Sequence, residues 1–437
     1  MRVISEEIMA EACRLNDISR PGLAAIMECS RLSAFLEKKT GIPFIHMELG
    51  SPGFAPNHIG IEAEKAALDA GVGSKYSPVD GLPVLKEAAS RFIKAFLGFD
   101  LEPANLIPTT GSMLAAFSAL RIASQCIPGR RKILVLEPSF SANKKQMAIL
   151  EIPWKGVEVA DLRGPQFKKR LLAAMSDDNY AAIIYSNPNN PSWMCLSEAE
   201  LRAIAEVSME NGAIVIEDMA YFCMDMRGDG YGRAYTPPYP PTIANYTGRY
   251  MLLLSGSKIF SYAGQRAGIL CVGPVLFNEK YSSLAERYGD SGIFGRTLAG
   301  SILDMITSGC TASTQYGLAA MMESSCEGKL DFAKDMSEYG KRAEKMKAIF
   351  TRNGFTICYD HDAIGNIGDG FFFTISYPGM DSATLVEELL AYGVSTVSLD
   401  KMGSKRHGVR VCSSRIHDDQ FDLLEQRIAE FAADHKF

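Results

Sequence analysis

The chain has 437 residues, of which 47 % are hydrophobic and 22 % charged, and its 45 basic and 51 acidic side chains give a formal net charge of -6. This composition excludes a disordered or collagen-like chain and predicts a large globular core spread over about two domains. The acidic pI of about 5.7 gives no electrostatic reason to expect nucleic acid or an anionic membrane as a partner.

The N-terminal sequence lacks the basic and apolar regions of a secretory signal, and no apolar run is long enough to span a membrane. The ten cysteines are scattered without a CxxC pair, and the six histidines show no metal-ligand spacing. We therefore expect a cytoplasmic protein whose cysteines are reduced core residues and which binds no metal.

The predicted elements change in character along the chain. Amphipathic helical patterns over about residues 5–40 are followed by a short apolar run, FIHMEL. From about 60 to 310, strand-like runs alternate with helical patterns, which predicts parallel β-α-β units with helices on both faces of the sheet. The last hundred residues form a smaller α+β pattern. The sequence thus predicts an α/β fold with a large three-layer α/β/α domain over 55–325, and a small α+β domain made of 1–54 and 326–437.

One segment inside the large domain has no regular pattern. Residues 234–248, AYTPPYPPTIANYTG, are too rich in proline for a helix or a strand. We expect a surface excursion between two strands, either near the rim of the site or merely on the surface.

The segment most informative about function is 255–268, which follows the predicted strand YMLLL and contains Lys258 and Arg266. Open α/β sheets bind ligands beyond the carboxyl ends of their strands. A lysine there becomes nucleophilic when its pKa falls, and it can then form a Schiff base with an aldehyde cofactor. Taken alone, Lys258 is better explained as a surface lysine in a loop.

A carboxylate and a phenol mark the end of another predicted strand. Asp218 lies in the run AIVIEDM, Tyr221 follows it by three residues, and Asn190 lies in the segment NPNNP after the strand AAIIY. A carboxylate that holds a pyridine nitrogen protonated makes the ring an electron sink, and a phenol beside its O3′ hydroxyl tunes it. Pyridoxal 5′-phosphate requires both. An amide such as Asn190 can bond the same hydroxyl, although Asn-Pro turns are common.

Two further segments fit the same cofactor. Gly111, Ser112 and Met113 open a predicted helix, whose free N–H groups and positive dipole end favour a phosphate. Phe140 follows the strand KILVLEP and can stack on a planar ring. An empty helix cap and a core phenylalanine are the alternative explanations.

Together these motifs resemble those of pyridoxal-phosphate-dependent aminotransferases of classes I and II, the aspartate aminotransferase fold type, also called fold type I. The resemblance covers nearly the whole chain and rests on NPNNP, on the pair Asp218 and Tyr221, and on SGSK followed by Arg266. It implies a transaminase that moves an amino group between an L-amino acid and a 2-oxo acid by a ping-pong mechanism.

The resemblance also implies catalytic roles for individual residues. Lys258 corresponds to the Schiff-base lysine, which then moves the substrate proton. Asp218 pairs with the pyridine nitrogen, Tyr221 and Asn190 contact O3′, and Phe140 stacks on the ring.

The phosphate is held, by the same resemblance, by Gly111, Ser112, Met113, Ser255 and Arg266. An arginine gives the planar, charge-assisted contact that a dianion favours.

The substrate end is implied in the same way. Arg410 in HGVRVCSS corresponds to the arginine that binds the α-carboxylate, with Arg415 as the nearest wrong choice, while Gly50 and Asn190 complete the substrate site. Tyr76 matches a tyrosine that reaches the phosphate of the partner subunit. The resemblance therefore implies a homodimer with shared active sites.

Two residues depart from the family pattern. Trp193 stands where the family usually has a glycine, and it either walls the pocket or is a packing or surface tryptophan. Arg296 lies near the position where dicarboxylate-specific members have a second arginine, but its local sequence does not match, which favours an ordinary surface arginine. The substrate class stays open among acidic, aromatic and other neutral amino acids.

Other functions are known for the same fold. A carbon-sulfur lyase or a decarboxylase shares every cofactor residue, and the family's base rate favours transamination. A ligand-sensing module of a transcription regulator predicts a basic DNA-binding domain, but only about 40 residues without a basic cluster precede the fold. A degenerate structural relative predicts loss of Lys258 or Asp218, and both are present.

Overall fold

The computed structural model describes residues 2–177, 179–227 and 231–435. Its strands are β1 (Ile45–His46), β2 (Leu106–Thr110), β3 (Lys132–Glu137), β4 (Trp154–Glu158), β5 (Tyr180–Ser186), β6 (Ile214–Met219), β7 (Tyr250–Ser255), β8 (Ala267–Val272), β9 (Thr356–Ile357), β10 (Phe372–Ser376), β11 (Val394–Ser395), β12 (Val397–Ser398) and β13 (Val409–Cys412).

The helices cover both faces of the large sheet and one side of the small one. They are α1 (Glu6–Leu15), α2 (Ile26–Thr40), α3 (His58–Asp69), α4 (Pro83–Leu97), α5 (Gly111–Ala123), α6 (Ser141–Ile149), α7 (Val159–Leu162), α8 (Phe167–Ala174), α9 (Glu198–Asn211), α10 (Gly256–Ile259), α11 (Pro274–Asn278), α12 (Ser282–Tyr288), α13 (Phe294–Arg296), α14 (Asp304–Thr307), α15 (Ala312–Cys326), α16 (Phe332–Arg352), α17 (Ser382–Ala391) and α18 (Phe421–Asp434).

The large sheet has seven strands in the order β2-β8-β7-β6-β5-β3-β4. Its strands pair in parallel except β8, which runs antiparallel to both of its neighbours. Strands β5, β6 and β7 are buried along their whole length, as expected for strands covered by helices on both faces.

Alternate residues of these strands enter two different cores. On β5, Ile183 belongs to one hydrophobic cluster, while Ala182 and Ile184 belong to the other. Because side chains of a strand point alternately to the two faces of a sheet, one core lies on each face. The predicted α/β class with a three-layer large unit is confirmed.

A second, smaller sheet is formed by the C-terminal part of the chain. Its order is β12-β13-β10-β9, with antiparallel pairing. Strand β1 of the N-terminal segment pairs in parallel with β11, which directly precedes β12 of this sheet in the sequence. This pairing supports a small domain built from both ends of the chain, and the boundaries at 55 and 325 stay a prediction.

The proline-rich segment 234–248 is not merely a surface excursion. The Thr242 hydroxyl and the Ile243 N–H both donate to Oε2 of Glu217, at 2.6 and 2.9 Å. Both residues are fully buried, so the segment is anchored beneath the large sheet. The reason lies in β6, whose inward Glu217 needs donors in a region without water.

The cysteines differ in how far they are buried. All ten cysteines are free, and the expectation that every one is a core residue is wrong for Cys13, Cys310 and Cys326, which are only partly buried. In the described part of the chain, no helix combines the length and apolar character needed to cross a bilayer.

Candidate active site

A cavity of about 400 Å³ lies at the carboxyl ends of the central strands. Parallel strands end at the same edge of a sheet, which explains why residues far apart in sequence meet here. The cavity is lined by eleven of the thirteen predicted site residues: Gly50, Ser112, Met113, Phe140, Asn190, Asp218, Tyr221, Ser255, Lys258, Arg266 and Arg410.

Lys258 reaches the cavity from α10, which follows β7 without a loop. The Ser255 hydroxyl accepts the N–H of Ser257 at 3.1 Å and so begins this turn. The Lys258 ammonium donates to the carbonyl oxygen of Gly50 and lies 5.6 Å from the ring centroid of Phe371. Burial lowers the pKa of Lys258 to about 8. A larger fraction of this amine is therefore neutral and nucleophilic near neutral pH than in an ordinary lysine.

Asp218 lies next to the end of β6 and is buried. Its Oδ1 accepts the N–H of Ala220 at 3.0 Å, which fixes the carboxylate in place. Burial raises the pKa of Asp218 to about 6. Burial also raises the pKa of the Tyr221 phenol, so that this hydroxyl stays protonated and available as a hydrogen-bond donor.

Glu217, the residue before Asp218, anchors the loop that follows the neighbouring strand β5. Glu217 points to the opposite face of the sheet and accepts the side-chain N–H of Asn187 at 3.1 Å. Burial raises the pKa of Glu217 to about 7. Asn187 begins the NPNNP segment, and Asn190 at its end donates its N–H to the Ser186 hydroxyl at 3.0 Å. These bonds position the Asn190 amide at the cavity.

One end of the cavity is formed by the start of α5 and by Arg266. Gly111 has φ +72°, and a Cβ built on it lies 2.3 Å from one guanidinium nitrogen of Arg266. A Cβ built on Gly268 lies 2.9 Å from the backbone N of Ser112. Only glycines allow this close approach. The first N–H groups of α5 have no partner within the helix, so this end is built for an anion.

Arg410 forms the opposite end and is 1 % exposed. It donates to the Asn190 side-chain oxygen at 3.1 Å and to the carbonyl of Glu48, and it lies 4.3 Å from the ring centroid of Phe372. Its Nε has no partner. Among the described residues, no carboxylate forms an ion pair with Arg410 or Arg266. The exposed Arg266 and the buried Arg410 place a guanidinium group at each end of the cavity, which suits a ligand with two anionic groups.

Trp193 is a packing residue rather than a wall of the cavity. It is 1 % exposed, and its ring lies edge-on to Tyr221, at 5.3 Å between centroids. Its φ of +64° is in the left-handed region that favours glycine. The turn therefore keeps the backbone of a glycine while the indole supports Tyr221 from behind. Of the two interpretations left open by the sequence, packing is the correct one.

The two remaining predicted site residues, and the two arginines that the sequence disfavoured, lie outside the cavity of this chain. Gly111 is set behind Ser112, where it makes room for Arg266. Tyr76 is 91 % exposed. Arg296 and Arg415 are exposed as well, which agrees with the preference for Arg410 over Arg415.

The sequence analysis missed the part of the cavity wall that comes from the N-terminal segment. Ala25, Ile26 and Met27 at the start of α2, together with Leu49, line the cavity. Phe372 and Lys145 line it too. The only signal in the sequence was an amphipathic helix, which does not reveal what the helix packs against.

The chain was then compared with known proteins. The family model "Aminotransferase class I and II" matches residues 49–428. A probable aspartate aminotransferase of Methanocaldococcus jannaschii is 27 % identical over 237 residues, which is 54 % of this chain and 58 % of that protein. The alignment thus spans little more than half of the relative's length. An asparagine–oxo-acid transaminase of Streptococcus mutans is 25 % identical over 284 residues, 64 % of each protein.

Solved structures agree over almost the full length of the chain. An aspartate aminotransferase from Thermus thermophilus with maleate matches with a TM-score of 0.74 and 19 % identity, over 99 % of this chain and 100 % of that one. An aminotransferase from Mycobacterium tuberculosis matches with a TM-score of 0.76 and 17 % identity, over 96 % and 99 %. These similarities establish the fold. With the family match over 49–428, they show that the chain belongs to the family of class I and II aminotransferases.

Proposed function

We propose that this protein is a pyridoxal-phosphate-dependent aminotransferase that exchanges an amino group between an L-amino acid and a 2-oxo acid. The observation that carries the proposal is a partly buried lysine of lowered pKa in a cavity between two arginines, neither of which forms an ion pair with a carboxylate of the described residues. The family match and the printed names of the relatives favour transamination over the lyase or decarboxylase alternative.

The residues present fit pyridoxal 5′-phosphate. The glycine-lined start of α5, with Ser112, Met113 and Arg266, suits a phosphate dianion. Asp218 and Tyr221 suit the ring nitrogen and the O3′ hydroxyl, and Phe140 lies where a ring can stack. When bound, the cofactor supplies an electrophilic carbonyl for the lysine and an electron sink for the substrate.

Lys258 performs the proton transfer in this proposal. Its pKa of about 8 leaves a substantial fraction of the amine neutral near neutral pH, so that it can attack a carbonyl and later take up a substrate proton. With a pKa of about 6, the Asp218 carboxyl group is mostly ionised at neutral pH and can accept a hydrogen bond from a protonated ring nitrogen. The buried Tyr221 holds its proton and donates.

Arg410 positions the substrate. Its guanidinium is held in one orientation by Asn190 and by the Glu48 carbonyl, while Nε is left free. A carboxylate bound to this planar group is fixed in direction, and the bond to the Cα hydrogen is fixed with it. Gly50 lies beside this position, where a Cβ would come 2.7 Å from the Phe372 ring.

The remaining wall favours an apolar substrate side chain. Beyond the residues assigned above, the lining includes the large apolar side chains of Ile26, Met27 and Leu49, which are partly or largely exposed, and the small polar side chains of Ser51 and Ser141. The one further cation of the described lining is Lys145, which lies at the mouth and is exposed. A neutral amino acid with an aliphatic or aromatic side chain buries this apolar surface on binding.

We also propose a homodimer in which Tyr76 serves the partner's site. Tyr76 is 91 % exposed, and Met305 and Ile306 are exposed at 72 % and 47 %. The two segments are adjacent, because a Cβ built on Gly309 lies 3.2 Å from the carbonyl oxygen of Ser77. Exposed apolar side chains grouped on one surface favour an interface between subunits. The cytoplasmic location stays a prediction.

Spectroscopy with single amino acids tests the function. The purified protein is loaded with pyridoxal 5′-phosphate and mixed, in a single turnover, with a panel of amino acids, with Lys258→Ala as the control. We expect the absorbance band of the bound cofactor to convert to that of its amine form and to return on addition of a 2-oxo acid. Persistence of the band while pyruvate, ammonia or sulfide accumulates would refute transamination. A band that does not depend on Lys258 would refute its assignment.

A further inference from the structure

A chain of charged side chains leads from the surface to the buried arginine of the cavity. His46 on β1 lies between two carboxylates: its Nδ1 is 3.2 Å from Oε1 of Glu48 and its Nε2 is 3.3 Å from Oε2 of Glu37 on α2. Glu37 is partly exposed, His46 is mostly buried, and Glu48 is fully buried. None of these three side chains takes part in the mechanism described above, which uses only the backbone carbonyl of Glu48.

Glu48 connects this row to Arg410. Its backbone carbonyl accepts a bond from the guanidinium, and its carboxylate is among the charges that act on Arg410. Among the described residues, none donates a hydrogen bond to Oε2 of Glu48. A fully buried carboxylate with an unsatisfied oxygen is costly, so its presence beside the substrate arginine requires an explanation.

We propose that Glu48 is a positioning residue that sets how tightly Arg410 binds a substrate carboxylate, and that His46 controls the strength of this effect. The inference rests on the proposed role of Arg410. A substrate carboxylate and the Glu48 carboxylate compete for the same positive charge. Glu48 balances the guanidinium while the cavity holds no substrate, and it weakens the hold on the substrate when the product has to leave.

The charge on His46 decides the balance. With His46 protonated, the row Glu37, His46, Glu48 and Arg410 has no net charge, and a carboxylate enters freely. With His46 neutral, the row carries one net negative charge and repels it. The bonds to Glu48 and Glu37 raise the pKa of His46 above its ordinary value, which extends the tight-binding state to higher pH.

Other described groups also face the row: the Ser395 side chain interacts with the Glu48 carboxylate, and Tyr221 and Cys412, whose pKa values are both raised by burial, interact electrostatically with Arg410. From α2, the Ser33 hydroxyl lies 3.3 Å from Nδ1 of His46, and the Cys29 thiol interacts electrostatically with Glu48 and Arg410. From α18, Arg427 acts on Glu37. Because burial raises the pKa of the Cys29 thiol to about 12, this group stays neutral and leaves the titration to His46.

The test measures carboxylate binding without turnover. The holoenzyme and its variants are titrated by calorimetry with 4-methylvalerate, which has a carboxylate and an apolar chain but no amino group. Two variants remove opposite charges, Glu48→Gln and His46→Asn, and Glu62→Gln removes an exposed carboxylate that pairs only with Lys65. Titrations at about pH 6 and about pH 9 bracket the histidine.

Opposite effects of the two variants are the expected result. Glu48→Gln binds the probe about fivefold more tightly than the parent at the higher pH, and His46→Asn binds it about fivefold more weakly at the lower pH. The dissociation constants of the parent and of His46→Asn converge as the pH rises. Taking their ratio cancels the contribution of Lys258, which is present in both proteins. Glu62→Gln leaves the dissociation constant unchanged.

Several outcomes overturn the proposal. Weaker binding in both variants indicates a purely structural role, and unchanged binding in both indicates none. If Glu48→Gln does not fold, His46→Asn and Glu37→Gln still test the proposal. The Glu37→Gln variant must lose affinity for the probe at a lower pH than the parent does. Absence of probe binding to the parent overturns the role of Arg410 on which the inference rests. Normal probe binding without amino-group transfer refutes the proposed function alone.

Discussion

Replacing Gly111 by alanine tests whether the start of α5 and Arg266 form one anion site. A Cβ on Gly111 lies 2.3 Å from a guanidinium nitrogen, at φ +72°. Gly41 provides the matched control, because it has φ +71° and its built Cβ meets no described heavy atom within 4 Å. Left-handed backbone costs an alanine about 1 kcal/mol. Both variants therefore lose about this much unfolding free energy, as measured by urea denaturation.

Only Gly111→Ala is expected to weaken cofactor binding. The new methyl group must displace Arg266, and losing one charge-assisted hydrogen bond costs about 2 kcal/mol, which is about thirtyfold in the dissociation constant. Titration of the cofactor-free protein with pyridoxal 5′-phosphate measures this loss, and titration with pyridoxal, which lacks the phosphate, shows where it arises. Pyridoxal should bind both variants equally. Equal weakening for both ligands, or unchanged affinity for pyridoxal 5′-phosphate, would refute the idea that the start of α5 and Arg266 form one anion site.

Three further predictions concern the reaction. Arg410→Lys should lower kcat/KM for amino acids about a hundredfold, because a lysine cannot form the planar two-point contact, while circular dichroism stays unchanged; an unaltered kcat/KM would exclude Arg410 as the carboxylate anchor. The rate at which the cofactor-free protein captures pyridoxal 5′-phosphate should rise with pH around a midpoint of about 8, since burial lowers the pKa of Lys258 to that value; a midpoint above pH 10 would contradict this lowered pKa. Leucine, methionine and phenylalanine should give higher kcat/KM values than aspartate, and Met27→Arg should narrow that gap; a parent enzyme that prefers aspartate would show that the apolar wall does not contact the substrate.

The residues at strand ends were predictable because topology alone brings them together. Asp218 lies near the end of a buried strand, Lys258 and Asn190 follow two others, and neighbouring parallel strands end at one edge of the sheet. Local patterns were sufficient to identify the strands. The fold class therefore follows from local patterns, whereas the roles of the site residues were assigned through the family resemblance.

The N-terminal contribution was not predictable. Ile26 and Met27 reach the cavity because β1 pairs with β11, some 350 residues later in the chain, and no local pattern encodes that contact. The buried Glu48 was missed for the same reason, since its role depends on Arg410. Trp193 needed the backbone itself: only the φ of +64° explains how a bulky residue occupies a glycine turn.

The antiparallel direction of β8 has a mechanical consequence. Because β8 runs against its neighbours, its first residue lies at the functional edge, and Ala267 pairs with Thr110 immediately before α5. Only seven residues, 259–265, separate Lys258 from Arg266. The reactive amine and the anion anchor thus both lie at the edge of the large sheet, whereas Arg410 belongs to the other sheet. A rotation between the two sheets would change the hold on the substrate and leave the hold on the cofactor untouched.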